Sequence, residues 1–215
     1  QHYIYSTCIL FCYNPYLPFS FTIKMKNNDS IKKVLVLGCT GSIGNSTIDI
    51  LKNHKERFCC CGLSANTNKE KIELLADYFN CPYSLTSQDG YDGIKKLIDK
   101  TKPDIVVNGI AGSAGLIPSI MVLQEGIDLA LANKESVVMA GPLIFSLAKK
   151  NNCKILPVDS EHSAIFTLLN QCGHKNNVDQ LIITASGGPF RTWSSDKIKN
   201  ATLKDALKHP TWNMG

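Results

Sequence analysis

From Ile31 onward, short β-branched apolar runs alternate with stretches in which apolar residues recur every three to four positions. That alternation specifies a parallel sheet covered by helices, an α/β fold. The runs Lys33–Leu37, Phe58–Leu63, Tyr83–Thr86, Asp104–Asn108 and Asp128–Ala132 predict strands. Helical periodicity between and after them predicts helices over Gly44–Asn53, Lys69–Phe79, Gly90–Lys100, Leu116–Glu125, with Gly126 as terminator, and Ser136–Asn151. Lys154–Val158 and Gln180–Ala185 read as strands of a second unit, with a helix over Ser163–Leu169. Repeats and low-complexity linkers are absent, so the two units are expected to be in direct contact.

Residues 3–23 are apolar and aromatic, but Asn14, Pro15 and Pro18 interrupt them and argue against a membrane-spanning helix. Residues 1–30 are expected to be an unstructured extension or the remnant of a targeting leader. At 215 residues and 44% hydrophobic content, the chain can bury a sizeable core. Its net charge of +5 is scattered, with no Lys/Arg run interleaved with aromatics, so a nucleic-acid surface is not indicated and acidic small molecules are better candidate partners. Nine cysteines include no C-x-x-C pair, and Cys59, Cys60 and Cys61 sit inside a strand-like run. Neither a zinc site nor a disulfide framework is supported, and a reducing compartment is the simpler reading.

The first chemistry lies at the first strand-to-helix turn. Gly38-Cys39-Thr40-Gly41-Ser42-Ile43-Gly44 spaces three glycines as G-x-x-G-x-x-G, a variant of the dinucleotide fingerprint. Such a turn offers backbone N–H groups and a helix N-terminus to a pyrophosphate. An NAD site usually carries an acid at the end of the second strand, and none occurs from Arg57 to Lys69. Ser64, Asn66, Thr67, Asn68 and Lys69 instead offer small polar donors and one cation, which suit a 2′-phosphate and favour NADPH over NADH. The competing reading of that cluster is a polar loop capping the next helix.

The second chemistry is Pro157-Val158-Asp159-Ser160-Glu161-His162. On an extended backbone, Asp159 and Glu161 point to one face, and two converging carboxylates suit a hard cation such as Mg²⁺ or Mn²⁺. A solvated turn with Ser160 as helix cap competes with that reading.

Four segments taken together, the glycine turn, Leu131–Ser136, Pro157–Phe166 and Ser186–Phe190, resemble in order and sequence the 1-deoxy-D-xylulose 5-phosphate reductoisomerase family. His209-Pro210-Thr211-Trp212-Asn213-Met214-Gly215 is similar to that family's active-site flap. The resemblance runs from about residue 32 to the end of the chain. It implies an NADPH-binding Rossmann-like domain over 31–152 and the start of an α/β catalytic domain over 153–215. It further implies isomerisation, through retro-aldol cleavage and re-addition, and reduction of the substrate to 2-C-methyl-D-erythritol 4-phosphate in the non-mevalonate isoprenoid pathway. The family pattern continues past Gly215 into a segment carrying phosphate contacts and a third metal carboxylate, then a helical domain, so the chain is expected to be an N-terminal fragment.

The resemblance also implies residue roles. Asp159 and Glu161 match the metal ligands, and Ser160 a substrate contact, with His162 supporting the carboxylates. Lys134 matches a substrate-binding lysine, and Asn133 and Glu135 match cofactor contacts. Gly38, Thr40, Gly41, Ser42, Ile43 and Gly44 match the pyrophosphate turn, and Asn66, Thr67 and Asn68 stand where the family holds the 2′-phosphate, only Asn68 being an identity with the commoner Gly-Lys-Asn type. Ser186 and His209 match substrate contacts, Trp212 covers the substrate, and Gly215 matches a cofactor contact. A homodimer is implied for the full-length protein, in the cytoplasm of a bacterium or a plastid-type organelle of a eukaryote. Two other readings stay open: a chain that only binds a dinucleotide, or another NADP-dependent Rossmann oxidoreductase such as a semialdehyde dehydrogenase, although the latter expects a catalytic Cys that is not evident.

Overall fold

The computed structural model describes residues 9–11, 30–171, 178–183 and 188–208. The chain divides into two compact units, one of residues 18–163 and one combining residues 1–17 with 164–215. In the smaller, β1 (Ile9–Phe11) pairs antiparallel with a strand at Gln180–Ile182, Ile9 opposite Ile182. The expectation of an unstructured stretch over 1–30 therefore fails at these three residues, which have a ladder partner.

The larger unit is a six-stranded sheet made of β2 (Lys32–Leu37), β3 (Phe58–Ala65), β4 (Tyr83–Leu85), β5 (Ile105–Asn108), β6 (Asp128–Leu131) and β7 (Ile155–Pro157). Every ladder is parallel, and the order is β4-β3-β2-β5-β6-β7. Counted from β2, that is the 3-2-1-4-5-6 order of a doubly wound dinucleotide-binding sheet, whose crevice opens where the winding reverses, between the first and fourth strands. The helices are α1 (Ser42–Asn53), α2 (Lys69–Phe79), α3 (Thr86–Thr101), α4 (Leu116–Gln124) and α5 (Lys134–Lys150). α6 (Ser160–Gln171) begins in this unit; β8 (Gln180–Ile182), α7 (Ser195–Lys199) and α8 (Leu203–Ala206) follow in the other.

Period-two alternation sorts the core onto the two faces of the sheet. Val34 and Val36 of β2 join Ile48 and Leu51 of α1 and Ile72 of α2 in one buried cluster. Leu35 and Leu37, the intervening residues, join Ile94 and Ile98 of α3, Val122 of α4 and Ile144 of α5 in the other. Strands buried on both sides explain the near-continuous apolar runs.

Three elements differ from expectation. Ile155–Pro157 pairs with Leu129–Leu131, so the strand assigned to a second unit is the sixth strand of the first sheet. The helix expected over Gly90–Lys100 starts at Thr86 with a break at Gly90, whose φ of 58° interrupts the helical path. α5 is broken at Ala140 (φ −145°), two residues before Pro142, which has no N–H to donate to the preceding turn. No helix among the described residues is long and apolar enough to cross a membrane.

Candidate active site

All five loops that matter here leave the C-terminal ends of the parallel strands, the edge at which open α/β sheets bind ligands. The glycine turn follows β2. Gly38 has φ 74°, and a Cβ there would lie 2.9 Å from the Gly109 carbonyl carbon at the end of β5, so only glycine lets the two neighbouring loops meet. A Cβ on Gly44 would collide with the Gly38 carbonyl oxygen and lie 2.5 Å from the carbonyl carbon of Cys39. That contact presses the first turn of α1 against the loop. Gly41 caps α1 with no side chain, the first turn carries no acid, and Gly41 and Ser42 are exposed. Its first N–H groups and the positive end of its dipole thus face outward, the arrangement a pyrophosphate requires. Thr40 and Ile43 are half-buried beside them.

Beyond β3, Asn66, Thr67 and Asn68 are exposed. The Asn68 side chain caps α2 by accepting from Lys71 N at 3.1 Å, and Asn66 Oδ1 accepts from Thr86 Oγ1 at 3.3 Å. Ser64, expected among the phosphate donors, is buried within β3 and is no part of the loop surface. Lys69 pairs at 3.7 Å with Glu73 one turn along α2. The cation that crosses to the glycine turn is Lys71, whose Nζ donates to Asn45 Oδ1 of α1 at 2.7 Å. Sequence reasoning missed Lys71, because only the position of α1 against α2 sets it apart from Lys69.

Between β5 and β6, a buried polar network sets the backbone. Asn108 Nδ2 donates to Gly115 O at 2.9 Å and Ser119 Oγ at 2.8 Å, and its Oδ1 accepts from Ile110 N at 3.1 Å. Asn133, 3% exposed, donates both amide hydrogens at 2.7 Å, to Ile110 O and Gly112 O. Its Oδ1 accepts from Ser136 N at 2.9 Å, capping α5, and from Ser136 Oγ. No donor of the Asn133 side chain is left for a cofactor. Its side chain instead holds the 110–112 loop against the start of α5, while Glu135 is exposed in the first turn.

Lys134 opens α5, where the helix dipole disfavours a cation, so the residue adds to an already positive end. Its Nζ reaches Asp159 Oδ2 at 3.1 Å, and the Lys134 side chain is 60% exposed. The hydrogen bond to Asp159 and its charge raise the Lys134 pKa. Asp159 precedes α6 just after β7, and its backbone carbonyl accepts from Ser163 N at 2.8 Å. His162 Nδ1 lies 2.9 Å from Asp159 Oδ1. Burial pushes the Asp159 carboxyl up, but hydrogen bonds with His162, Lys134 and Glu161 outweigh it and hold the group below the usual carboxylate range. Ser160 is exposed and its Oγ donates to Glu161 Oε2 at 3.0 Å. The two acids therefore do come together, though not on an extended strand: Glu161 stands in the first turn of α6, and the helical turn folds it back toward Asp159. Ser186, His209, Trp212 and Gly215 lie outside the described residues.

The profile of the family described as 1-deoxy-D-xylulose 5-phosphate reductoisomerase matches residues 34–89 and 82–141, and that of its C-terminal domain matches residues 155–215. This chain belongs to the 1-deoxy-D-xylulose 5-phosphate reductoisomerase family. The 1-deoxy-D-xylulose 5-phosphate reductoisomerase of Treponema denticola is 46% identical over 193 residues, covering 86% of this chain and 50% of that protein. The reductoisomerase from Zymomonas mobilis, solved in complex with NADPH, is 34% identical with a TM-score of 0.71, over 84% of this chain and 52% of that one. A reductoisomerase solved with NADPH, fosmidomycin and magnesium is 33% identical with a TM-score of 0.66, over 86% and 52% of the two chains. The chain thus spans about half the length of the curated relatives it matches.

The residues present fit both groups named for these reductoisomerases. The glycine cradle and the uncapped α1 suit a pyrophosphate, and an acid-free β3 end with Lys71 nearby suits a 2′-phosphate. Asp159 and Glu161 are hard oxygen donors suited to a divalent cation. Among the described residues no group of three His, Cys, Asp or Glu side chains with metal-site geometry occurs.

Proposed function

We propose that the full-length protein converts 1-deoxy-D-xylulose 5-phosphate to 2-C-methyl-D-erythritol 4-phosphate, using NADPH and Mg²⁺ or Mn²⁺, and that this chain supplies the cofactor site and two of the metal-binding carboxylates. The observation that carries the reading is the grouping of Lys134, Asp159 and Glu161 at the same sheet edge as the glycine turn. When bound, NADPH supplies a hydride and the cation a Lewis acid for a substrate that accumulates negative charge on oxygen.

The chain's own residues do the rest. Backbone N–H groups from Gly38 to Gly44 hold the pyrophosphate, while Asn66, Thr67, Asn68 and Lys71 surround the 2′-phosphate. Asn133 keeps the 110–112 loop and the start of α5 in place, and Glu135 lies at the cofactor side. Asp159 and Glu161 would hold the cation. Lys134, whose ammonium reaches Asp159 at 3.1 Å, would donate a hydrogen bond to a substrate oxygen on which negative charge develops. Ser160 offers its hydroxyl to the sugar. Ser186, His209, Trp212 and Gly215 keep the roles their family match implies, in substrate binding, covering and cofactor contact. The family match likewise supports a homodimer, in the cytoplasm if the source is a bacterium and in a plastid-type organelle if it is a eukaryote.

Oxidation of NADPH by the full-length protein with deoxyxylulose phosphate and Mn²⁺ tests the reading, and absence of turnover would overturn it. A second reading, that the isolated chain binds dinucleotide and the metal only weakly, is favoured by the two-carboxylate set. Calorimetry of the chain with Mn²⁺ tests this second reading, and tight binding by the chain alone contradicts it.

A further inference from the structure

Near the start of β3, two thiols that the sequence separates by 21 positions are brought side by side. Cys60 of β3 is buried, Cys81 sits in the turn between α2 and β4, and their sulfurs are 4.0 Å apart. The turn that presents Cys81 is firmly built. Asn80 adopts a left-handed conformation at φ 50°, Cys81 N donates to Ala76 O at 3.1 Å, and Pro82 O accepts from Leu63 N at 3.1 Å. An open cleft of about 520 Å³, lined by Ala76, Asp77, Asn80, Cys81, Tyr83 and Lys100 among others, reaches Cys81 from solvent. Cys60 is not reached by it. One thiol is accessible, its partner is buried behind it, and the gap is about 2 Å longer than a disulfide bond.

We propose that Cys60 and Cys81 form an oxidisable dithiol, a modification site for hydrogen peroxide in which Cys81 is attacked first and Cys60 closes the disulfide. The Cys81 thiolate attacks one peroxide oxygen; the O–O bond breaks and hydroxide leaves, giving Cys81 sulfenic acid. Cys60 then gives up its proton to that hydroxide, forming water. Its sulfur attacks the Cys81 sulfur, an S–S bond forms, the S–O bond breaks, and the departing hydroxide takes a solvent proton. Overall, two thiols and one peroxide become one disulfide and two waters.

The division of labour follows from the environment. The sulfur–sulfur contact with Cys60 lowers the Cys81 pKa and outweighs burial, whereas the same contact, followed by burial, pushes Cys60 strongly up. Cys81, the thiol that the cleft reaches, therefore meets the peroxide first, and Cys60, buried behind it, closes the disulfide. The bond would close a ring over residues 60–81, which contains Asn66–Asn68 and all of α2, so oxidation marks the βα unit that carries the proposed 2′-phosphate loop. The chemistry itself is independent of the catalytic reading.

The test is peptide mapping under non-reducing conditions after stoichiometric hydrogen peroxide treatment of the full chain. A Cys60–Cys81 linked peptide that dithiothreitol abolishes is the expected result. Cys59→Ser, which removes the exposed neighbour, should leave its yield unchanged, and Cys60→Ser should leave Cys81 as a sulfenic acid trapped by dimedone. Should Cys60→Ser not fold, the map of the unsubstituted chain still decides. Linkage of Cys81 to Cys39, Cys59 or Cys61, or oxidation of Cys81 to sulfinic acid with Cys60 still reduced, would overturn the proposal.

Discussion

Replacing Asn133 by Asp separates two roles that one side chain performs. As a helix cap, Asp is as good as Asn, so a residue whose work is to accept from Ser136 N would tolerate the change. The structure predicts otherwise, because the Asn133 amide also donates to Ile110 O and Gly112 O, both at 2.7 Å, in a site that is 3% exposed. A carboxylate there cannot donate and sets a negative charge against two carbonyl oxygens. Losing two buried hydrogen bonds costs about 1 kcal/mol each, and the desolvated carbonyls add to it, so Asn133→Asp should cost about 2–4 kcal/mol. Asn133→Ala loses the same two bonds and also the cap, worth about 1 kcal/mol more. Urea denaturation followed by circular dichroism measures both. An Asn133→Asp protein as stable as the unsubstituted chain would refute the clamp and leave only the cap.

The structure predicts three further outcomes. Gly44→Ala places a methyl against the Gly38 and Cys39 backbone and should cost at least about 2 kcal/mol while abolishing NADPH-dependent fluorescence change, so a variant that melts normally and binds NADPH contradicts the close approach. Lys134→Met removes an ammonium from Asp159 Oδ2 and should cost under about 1 kcal/mol in stability because the lysine is exposed, yet raise Mn²⁺ affinity about threefold in calorimetry; an unchanged affinity would mean the ion pair does not compete with the cation. Burial pushes the Cys39 thiol from 9.0 up to about 12. Its contribution to stability is complete below pH 9 and falls by about 1.4 kcal/mol per pH unit from there toward 12, as the unfolded thiol ionises first. Native iodoacetamide labelling at pH 8 should therefore mark exposed Cys59 and spare Cys39, and modification of Cys39 without denaturant would contradict its burial.

The doubly wound sheet was legible because its strands are buried on both faces and so spell continuous apolar runs, Val34–Leu37 above all. Ile155–Pro157 reads as the start of another unit after the Ser136–Asn151 helix; only its pairing with Leu129–Leu131 reveals its place, and pairing partners leave no local signature. Asp159 and Glu161 were found by residue type, while the reason for their convergence changed from strand alternation to a helix's first turn. Asn133 stood out by motif, but its saturated amide depends on carbonyls more than twenty residues away. Lys71 and Lys69 are indistinguishable by composition, and the position of α1 decides which one faces the nucleotide turn. α7 and α8 are too short for periodicity to register, although Thr202 and Asp205 form a capping box that marks the latter.

Under the proposed function, the glycine turn and the acid-free end of β3 make this chain a site for a 2′-phosphorylated dinucleotide. Fluorescence titration of the chain with NADPH and, separately, with NADH tests it most directly. Saturable binding of NADPH, at least tenfold tighter than NADH and lost in Gly44→Ala, is the predicted result. Equal affinity for the two, or tighter binding of NADH, would contradict it.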